Sequence, residues 1–124
     1  MDLGGVPRRA TYLKGIRQAG GDVVLLDAGD VVQGAGEYGR IKANFYAKAM
    51  PLLAYDAVAL GDTDMRYIIE SHPSKPYGSI PVICSNVFNS SGKLFASKPY
   101  IVKKTSSGLK VGIIAVLSDK IVDK

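Results

Sequence analysis

Cysteine and histidine are almost absent from this sequence, and their scarcity removes several classes of site. The chain of 124 residues contains one cysteine, Cys84, so a disulfide within it is impossible. Cys84 lies in the apolar run IPVICSNV, where a small buried side chain is expected and a catalytic thiol is not, since no histidine is near it in the sequence. The one histidine, His72, lies in ESHPSKP, so tight transition-metal binding through several histidines is not expected.

Long apolar runs and clustered charges are missing as well. No apolar run reaches the roughly 18 residues that a membrane span needs, and in the N-terminal MDLGGVPRRA no signal peptide is visible. The net charge is +5 and the sequence pI is about 9.4, but lysine and arginine are spread along the chain without interleaved aromatic residues. We therefore expect no membrane span and no nucleic-acid partner.

The composition and the hydrophobic pattern predict a single domain over residues 1–124, with 47% apolar residues to form a core. The predicted order is helix, strand, helix, strand, helix, strand and a final pair of strands. This alternation predicts an α/β layered fold, with a mainly parallel sheet flanked by helices and a C-terminal β-hairpin. Strands are expected near residues 23–27, 56–60, 80–85 and 110–116.

Proline and glycine residues set the predicted helix and turn boundaries. Pro7 suits the first turn of the first helix, which should end at Gly20–Gly21. A second helix is predicted over residues 39–53 with Pro51 in its last turn, and a short third helix from about Met65 until shortly before Pro73. The runs PYIVKKT and LKVGIIAVL, separated by SSG, predict the hairpin.

Two aspartates follow successive predicted strands, because Asp30 closes LLDAGD and Asp62 closes VALGD. The carboxyl ends of parallel strands meet at one edge of a sheet, where ligands gather, so we expect both aspartates at one candidate site. A structural interpretation stays open beside this one. Asp62, Thr63 and Asp64 are residue types favoured at helix N-caps, and an aspartate after a strand commonly closes a turn, as Asp30 would here.

LLDAGDVVQG and, about thirty residues later, YDAVALGDTDM resemble the calcineurin-like metallophosphoesterases, and among them the 5'-nucleotidase and UDP-sugar hydrolase group. GGVPRRATYLKGIR, IPVICSNV and KPYIVKKTSSGLKVGIIAVLSD resemble the first helix, the next strand and the hairpin of that group. The resemblance implies a hydrolase of nucleotides or other phosphate esters that uses two divalent metals, Zn, Mn or Mg, about 3.5–4 Å apart. It also implies a periplasmic or extracellular location.

The resemblance assigns metal-ligand roles to two residues of this chain. Asp30 matches the aspartate of the family's G-D motif, which bridges the metals, and Asp62 stands at the asparagine of its G-N-H-[DE] motif. Thr63 stands at the histidine of that motif and cannot act as an imidazolium, and Asp64 matches the final acidic residue. The family's D-x-H, its lone histidine and its G-H-x-H would lie outside residues 1–124. A partial, degenerate site is therefore implied, with no catalytic residue, loosely held metal and no activity as this chain alone.

Two alternatives remain from the sequence. The chain can be a non-catalytic binding or scaffold domain, whose sheet edge accepts a partner strand or a missing domain. It can also be a fragment of a larger exported hydrolase. Residues near the strand ends, namely Gln33, Gly34, Ser85 and Asn86, are either part of the site's rim or ordinary turn residues.

Overall fold

A three-stranded parallel sheet lies at the centre of the computed structural model, which describes residues 4–31, 36–65 and 79–118. Its spatial order is β1-β2-β3, where the strands are β1 (Leu26–Asp27), β2 (Ala57–Ala59) and β3 (Val82–Ile83). Leu26 pairs with Ala57, and Val58 pairs with Val82. The predicted parallel sheet of consecutive strands is confirmed.

The strands are shorter than the apolar runs that predicted them, and at β1 a side chain is the reason. The backbone N–H of Leu25 donates to the Asp56 carboxylate, 2.9 Å away, and not to a backbone carbonyl of the next strand. The backbone ladder between β1 and β2 therefore begins one residue later, although the N–H of Asp56 still donates to the Leu25 carbonyl at 2.8 Å.

Two helices flank the sheet and enclose the main core. The first, α1 (Val6–Gln18), has Pro7 in its first turn and buries Leu13, as the sequence predicts. The second, α2 (Gly36–Leu52), begins three residues before the predicted start and contains Pro51 in its last turn. The half-buried Leu25, just before β1, packs against a buried cluster that contains side chains from both helices and from the regions of β2 and β3: Leu13, Ala43, Met50, Leu53, Tyr55, Val58, Leu60, Ile80, Val82, Cys84 and Ala96.

The chain's last described elements form the predicted hairpin, made of β4 (Tyr100–Lys104) and β5 (Lys110–Ile114). The predicted fourth strand of the main sheet, residues 110–116, lies instead in this separate two-stranded antiparallel sheet. The hairpin sits beside β3, because Ser85 N–H donates to the Ala115 carbonyl at 2.7 Å and Ile83 forms a bridge with Lys98. Local pairing across a short turn has replaced pairing with the parallel sheet.

Beyond β2 the chain forms a short helical segment, α3 (Asp62–Asp64), capped at its C-terminal side by Met65. It begins three residues before the predicted position, and most of the predicted helix from Met65 to Pro73 lies outside the described residues. Across residues 4–31, 36–65 and 79–118, no helix is both long enough and apolar enough to cross a membrane.

Asp22 fastens the hairpin turn to the loop between α1 and β1. Its carboxylate accepts hydrogen bonds from the hydroxyls of Ser106 and Ser107 and, at 3.0 Å, from the Ser107 N–H. These bonds hold the pKa of the Asp22 carboxyl well below its ordinary value of 3.8, and the bond from the Ser106 hydroxyl has the largest effect. A half-buried ion pair between Asp56 and Lys103 makes a second attachment between the hairpin and the sheet.

We expect the Asp22 attachment to weaken in acid. Because its folded-state pKa is lower than its unfolded one, the stability it contributes is present above about pH 3.8 and is lost as the pH falls through the folded-state value. Urea unfolding of wild type and Asp22→Asn should therefore show a stability difference at about pH 6 that shrinks at about pH 3. An unchanged difference at the lower pH would contradict this role.

Candidate functional site

Two glycines allow the loops after β1 and β2 to meet backbone to backbone. Gly29 has φ 91°, and a Cβ built there would lie 2.8 Å from both the Ala59 carbonyl oxygen and the Gly61 nitrogen. A Cβ on Gly61 would overlap the Asp30 backbone nitrogen and carboxylate. Glycine at both positions is therefore required, for conformation and space at Gly29 and for space at Gly61.

The buried carboxylate of Asp64 joins these loops. Its Oδ2 accepts the Asp30 N–H at 2.8 Å and the Gly61 N–H at 3.2 Å, and its Oδ1 accepts the Val31 N–H at 3.2 Å. Asp64 is 1% exposed, and these three backbone donors satisfy a charge that would otherwise be costly to bury. They also hold Asp30 in the left-handed conformation, φ 53°, which turns the chain after β1.

Asp30 and Asp62 are brought together at this edge by Thr63. The Thr63 N–H lies 3.2 Å from Asp30 Oδ1 and 2.9 Å from Asp62 Oδ1 and donates to both. The Thr63 hydroxyl also donates to Asp30 Oδ1, at 3.0 Å. Both aspartates are exposed, so each carboxylate keeps oxygen lone pairs that face solvent.

Residues at the end of β3 stabilise the same edge through backbone contacts. The Asn86 side chain donates to the Leu117 carbonyl at 2.7 Å and accepts the Leu117 N–H at 2.9 Å, while the Ser85 hydroxyl donates to the Pro99 carbonyl at 2.6 Å. These contacts fix the end of the hairpin and favour the structural interpretation of both residues. Gln33, Gly34 and His72 lie outside the described residues.

A cavity of about 290 Å³ opens beside Asp30, between the first turn of α1, the second and third turns of α2 and the end of β1. The residues that line it are Arg9, Asp27, Gly29, Asp30, Val31, Lys42 and Tyr46. Arg9 donates to the Tyr55 hydroxyl at 2.9 Å and lies 3.7 Å from an Asp27 carboxylate oxygen. Sequence reasoning missed this cavity, because Arg9 and Lys42 are far apart in the chain and their meeting depends on helix packing.

The aspartates supply only part of a metal-ligand set. Carboxylate oxygens suit divalent cations, but such ions take about four to six ligands or more. Within the described ranges, no three or more side chains of His, Cys, Asp or Glu come together in an arrangement that could hold a metal ion. Asp30 also accepts two hydrogen bonds from Thr63 at one oxygen. The described residues therefore do not form a complete metal centre.

Comparison with known proteins finds relatives of this chain in sequence and in structure. No family model matches the chain. It is 34% identical over 122 residues to a snake venom 5'-nucleotidase of Gloydius brevicauda, with 90% of this chain and 20% of that protein covered. It is 37% identical over 87 residues to the 5'-nucleotidase of Bos taurus, with 68% and 15% covered. The 5'-nucleotidase precursor structure from Thermus thermophilus superimposes with a TM-score of 0.74 at 26% identity, over 96% of this chain and 24% of that one.

The parallel sheet and the acidic loops at its edge define an α/β domain of the metallophosphoesterase kind. Taken with the relatives, they show that the chain belongs to the 5'-nucleotidase-type metallophosphoesterases. It spans about a fifth of the length of the snake venom relative. The family resemblance and the α/β fold read from the sequence are confirmed.

We expect Asp64→Asn to destabilise the protein by about 2–4 kcal/mol, because an amide leaves a buried N–H without its charged acceptor and introduces donors against other N–H groups. Asp62→Asn is the matched control, because the exposed amide oxygen can still accept the Thr63 N–H, and it should change stability by less than about 0.5 kcal/mol. Chemical denaturation of both variants provides the test. If the two variants were equally stable, the hydrogen bonds of Asp64 to the loops after β1 and β2 would not stabilise the protein as we expect.

Proposed function

We propose that this chain is the part of a 5'-nucleotidase-type phosphohydrolase that presents Asp30 and Asp62 as oxygen ligands for divalent metals, and that it does not hydrolyse phosphate esters on its own. The observation that carries the proposal is the meeting of both carboxylates at one backbone N–H, that of Thr63, at the carboxyl end of parallel strands. This is the edge at which α/β sheets bind their ligands. Zn²⁺, Mn²⁺ and Mg²⁺ are the cations implied by the resemblance.

The lack of independent turnover follows from the side chain at position 63. The resemblance puts an imidazole there, where it would supply charge or a proton to the leaving group. Threonine can do neither at neutral pH, and here its hydroxyl donates to Asp30. Loss of a general acid or base typically costs two to four orders of magnitude in rate.

The substrate class and the location come from the relatives. Both sequence relatives described above are named 5'-nucleotidases, which supports a nucleotide or a similar phosphate ester as the ligand. One of them is a venom protein, which supports an exported or extracellular location for the protein to which this chain belongs. Hydrolysis, in this proposal, needs groups that the described residues do not supply.

A second candidate function, that of a scaffold domain, is favoured by an apolar groove on the sheet face away from the helices. The groove measures about 360 Å³ and is lined mainly by apolar residues, among them Leu26, Ala57, Ala59, Ile83, Ile113, Ile114 and Val116. Ile114 and Val116 are 73% and 71% exposed. The occupant we propose is a β-sheet of a larger hydrolase, because the Thermus relative has about three quarters of its chain outside the match.

Purified chain should hydrolyse neither AMP nor a generic phosphodiester above background with added Mn²⁺, because the described residues offer an incomplete ligand set and no imidazole at position 63. Phosphate release and elemental analysis of the same sample are the measurements, and a full-length 5'-nucleotidase is the positive control. Robust AMP hydrolysis that Asp30→Asn abolishes would overturn the inactivity.

The scaffold candidate has a separate test in the exposed sheet face. Ile114→Lys should lower binding of a hydrophobic dye such as ANS and lower self-association, with stability changed by less than about 0.5 kcal/mol, because the side chain is exposed. Leu109→Lys, an exposed apolar position in the hairpin turn outside the groove, is the matched control. The same dye binding in wild type and Ile114→Lys would remove the groove as a docking face.

A further inference from the structure

The loop after β3 contains a sequence motif that neither the metal-ligand role nor the scaffold role uses. Residues 89–91 read Asn-Ser-Ser, the N-x-S/T pattern of an asparagine that accepts an N-linked glycan. The two other asparagines of the chain, Asn44 and Asn86, have an aromatic residue two positions later and so lack the pattern. The chain therefore contains one candidate acceptor, Asn89, and two asparagines that serve as internal controls.

The motif lies on the surface, in a small loop that is closed by its own hydrogen bonds. Phe88 and Leu94 form an antiparallel bridge at its base, and the Asn89 N–H donates to the Lys93 carbonyl at 2.9 Å. Every residue from 89 to 93 is exposed. Among the described residues, those of this loop hydrogen-bond only with one another, and none of them lines either cavity described above. A bulky group can therefore be attached here without displacing a packed neighbour.

The Asn89 carboxamide is held in one orientation. Its Oδ1 accepts hydrogen bonds from the Ser91 N–H at 3.1 Å, from the Ser91 hydroxyl at 2.7 Å and from the Lys93 N–H at 2.9 Å. All three donors belong to the loop, so Oδ1 faces the loop, and Nδ2, on the other branch of the planar group, is directed away from these donors. A glycan on Nδ2 would leave all three of these bonds intact.

The Ser91 hydroxyl contacts the group that would react. A carboxamide nitrogen is a weak nucleophile, because its lone pair is delocalised into the carbonyl as in a peptide bond. The hydrogen bond from the Ser91 hydroxyl to Oδ1 draws electron density toward the oxygen and makes the Nδ2 protons more acidic, which assists proton loss as the nitrogen attacks. Ser90 takes no part in these bonds, as expected for the middle position of the motif, which accepts any residue except proline.

We propose that Asn89 is an N-glycosylation site of the exported protein to which this chain belongs. In the transfer, Nδ2 bonds to the anomeric carbon of an oligosaccharide carried on a lipid pyrophosphate, while the bond from that carbon to the pyrophosphate oxygen breaks. The lipid pyrophosphate leaves with the bonding electron pair, and Nδ2 gives up one proton. The lipid-linked oligosaccharide and its transferase are met only during export, so this inference rests on the proposed exported location.

The test is secretion of the full 124-residue chain, behind a cleavable export signal, from cells that carry out N-glycosylation. The secreted product should carry added mass that an N-glycosidase removes, and peptide mass spectrometry should then find Asn89→Asp conversion, with Asn44 and Asn86 unchanged. Asn89→Gln and Ser91→Ala should each abolish the added mass, because the first removes the acceptor and the second removes the hydroxyl.

Two matched variants keep the motif. Ser91→Thr retains the hydroxyl and Ser90→Ala changes only the middle residue, so both should be glycosylated about as fully as the wild type. If Asn89→Gln is not secreted, Ser91→Ala carries the test, since it removes only the hydroxyl bond to Oδ1 and keeps both bonds from backbone N–H groups.

Each result of the secretion experiment decides the proposal. A secreted wild-type chain without a glycan, or a glycan that persists in Ser91→Ala, would overturn Asn89 as an N-linked acceptor. Because the added signal enforces export, a missing glycan would leave the proposed location intact. Fractionation of the cells that make the protein naturally tests that location separately, so the two proposals fail independently.

Discussion

The carboxylate of Asp64 is the interaction on which the sheet edge depends. It accepts N–H groups from the loop after β1 and from the loop after β2, and so sets the distance between the ends of two strands that are only two and three residues long. Strands this short contribute few ladder hydrogen bonds. Gly29 and Gly61 allow the two loops to approach closely. The Asp64 carboxylate makes this approach favourable, because it is buried from water and accepts three backbone N–H groups.

Because Asp64 accepts backbone N–H groups from both loops, Asp30 and Asp62 are not needed to hold the loops together. They share a partner in Thr63, which donates from its backbone and, to Asp30, from its hydroxyl as well. A carboxylate with solvent-exposed lone pairs can bind another group more readily than a carboxylate whose oxygens already accept backbone N–H groups. The two loops thus contain one buried structural acid, Asp64, and two exposed acids, Asp30 and Asp62.

Glycine, proline and apolar spacing predicted much of the fold, because these features act locally. Pro7 set the start of α1, and the succession of parallel strands put Asp30 and Asp62 at one edge. Other features depended on side chains distant in sequence, such as the Asp56 carboxylate that shortens β1 and the Arg9–Lys42 cavity. The role of Asp64 did carry a local signal, since an acid three residues after an N-cap can bond back to the cap N–H, as it does to Gly61.

The aspartates of this chain show how environment assigns different roles to one residue type. Asp22 is exposed and binds serine hydroxyls of the hairpin turn, whereas the half-buried Asp56 pairs with Lys103 and caps the Leu25 N–H. Both attach the hairpin, and both lie away from the edge where Asp30 and Asp62 meet. The basic groups differ in the same way: Lys103 pairs with Asp56, whereas no carboxylate of the described residues lies within ion-pair distance of Lys42. The exposed carboxylates of Asp30 and Asp62 therefore lie together at the carboxyl end of β1 and β2, apart from the acids that attach the hairpin.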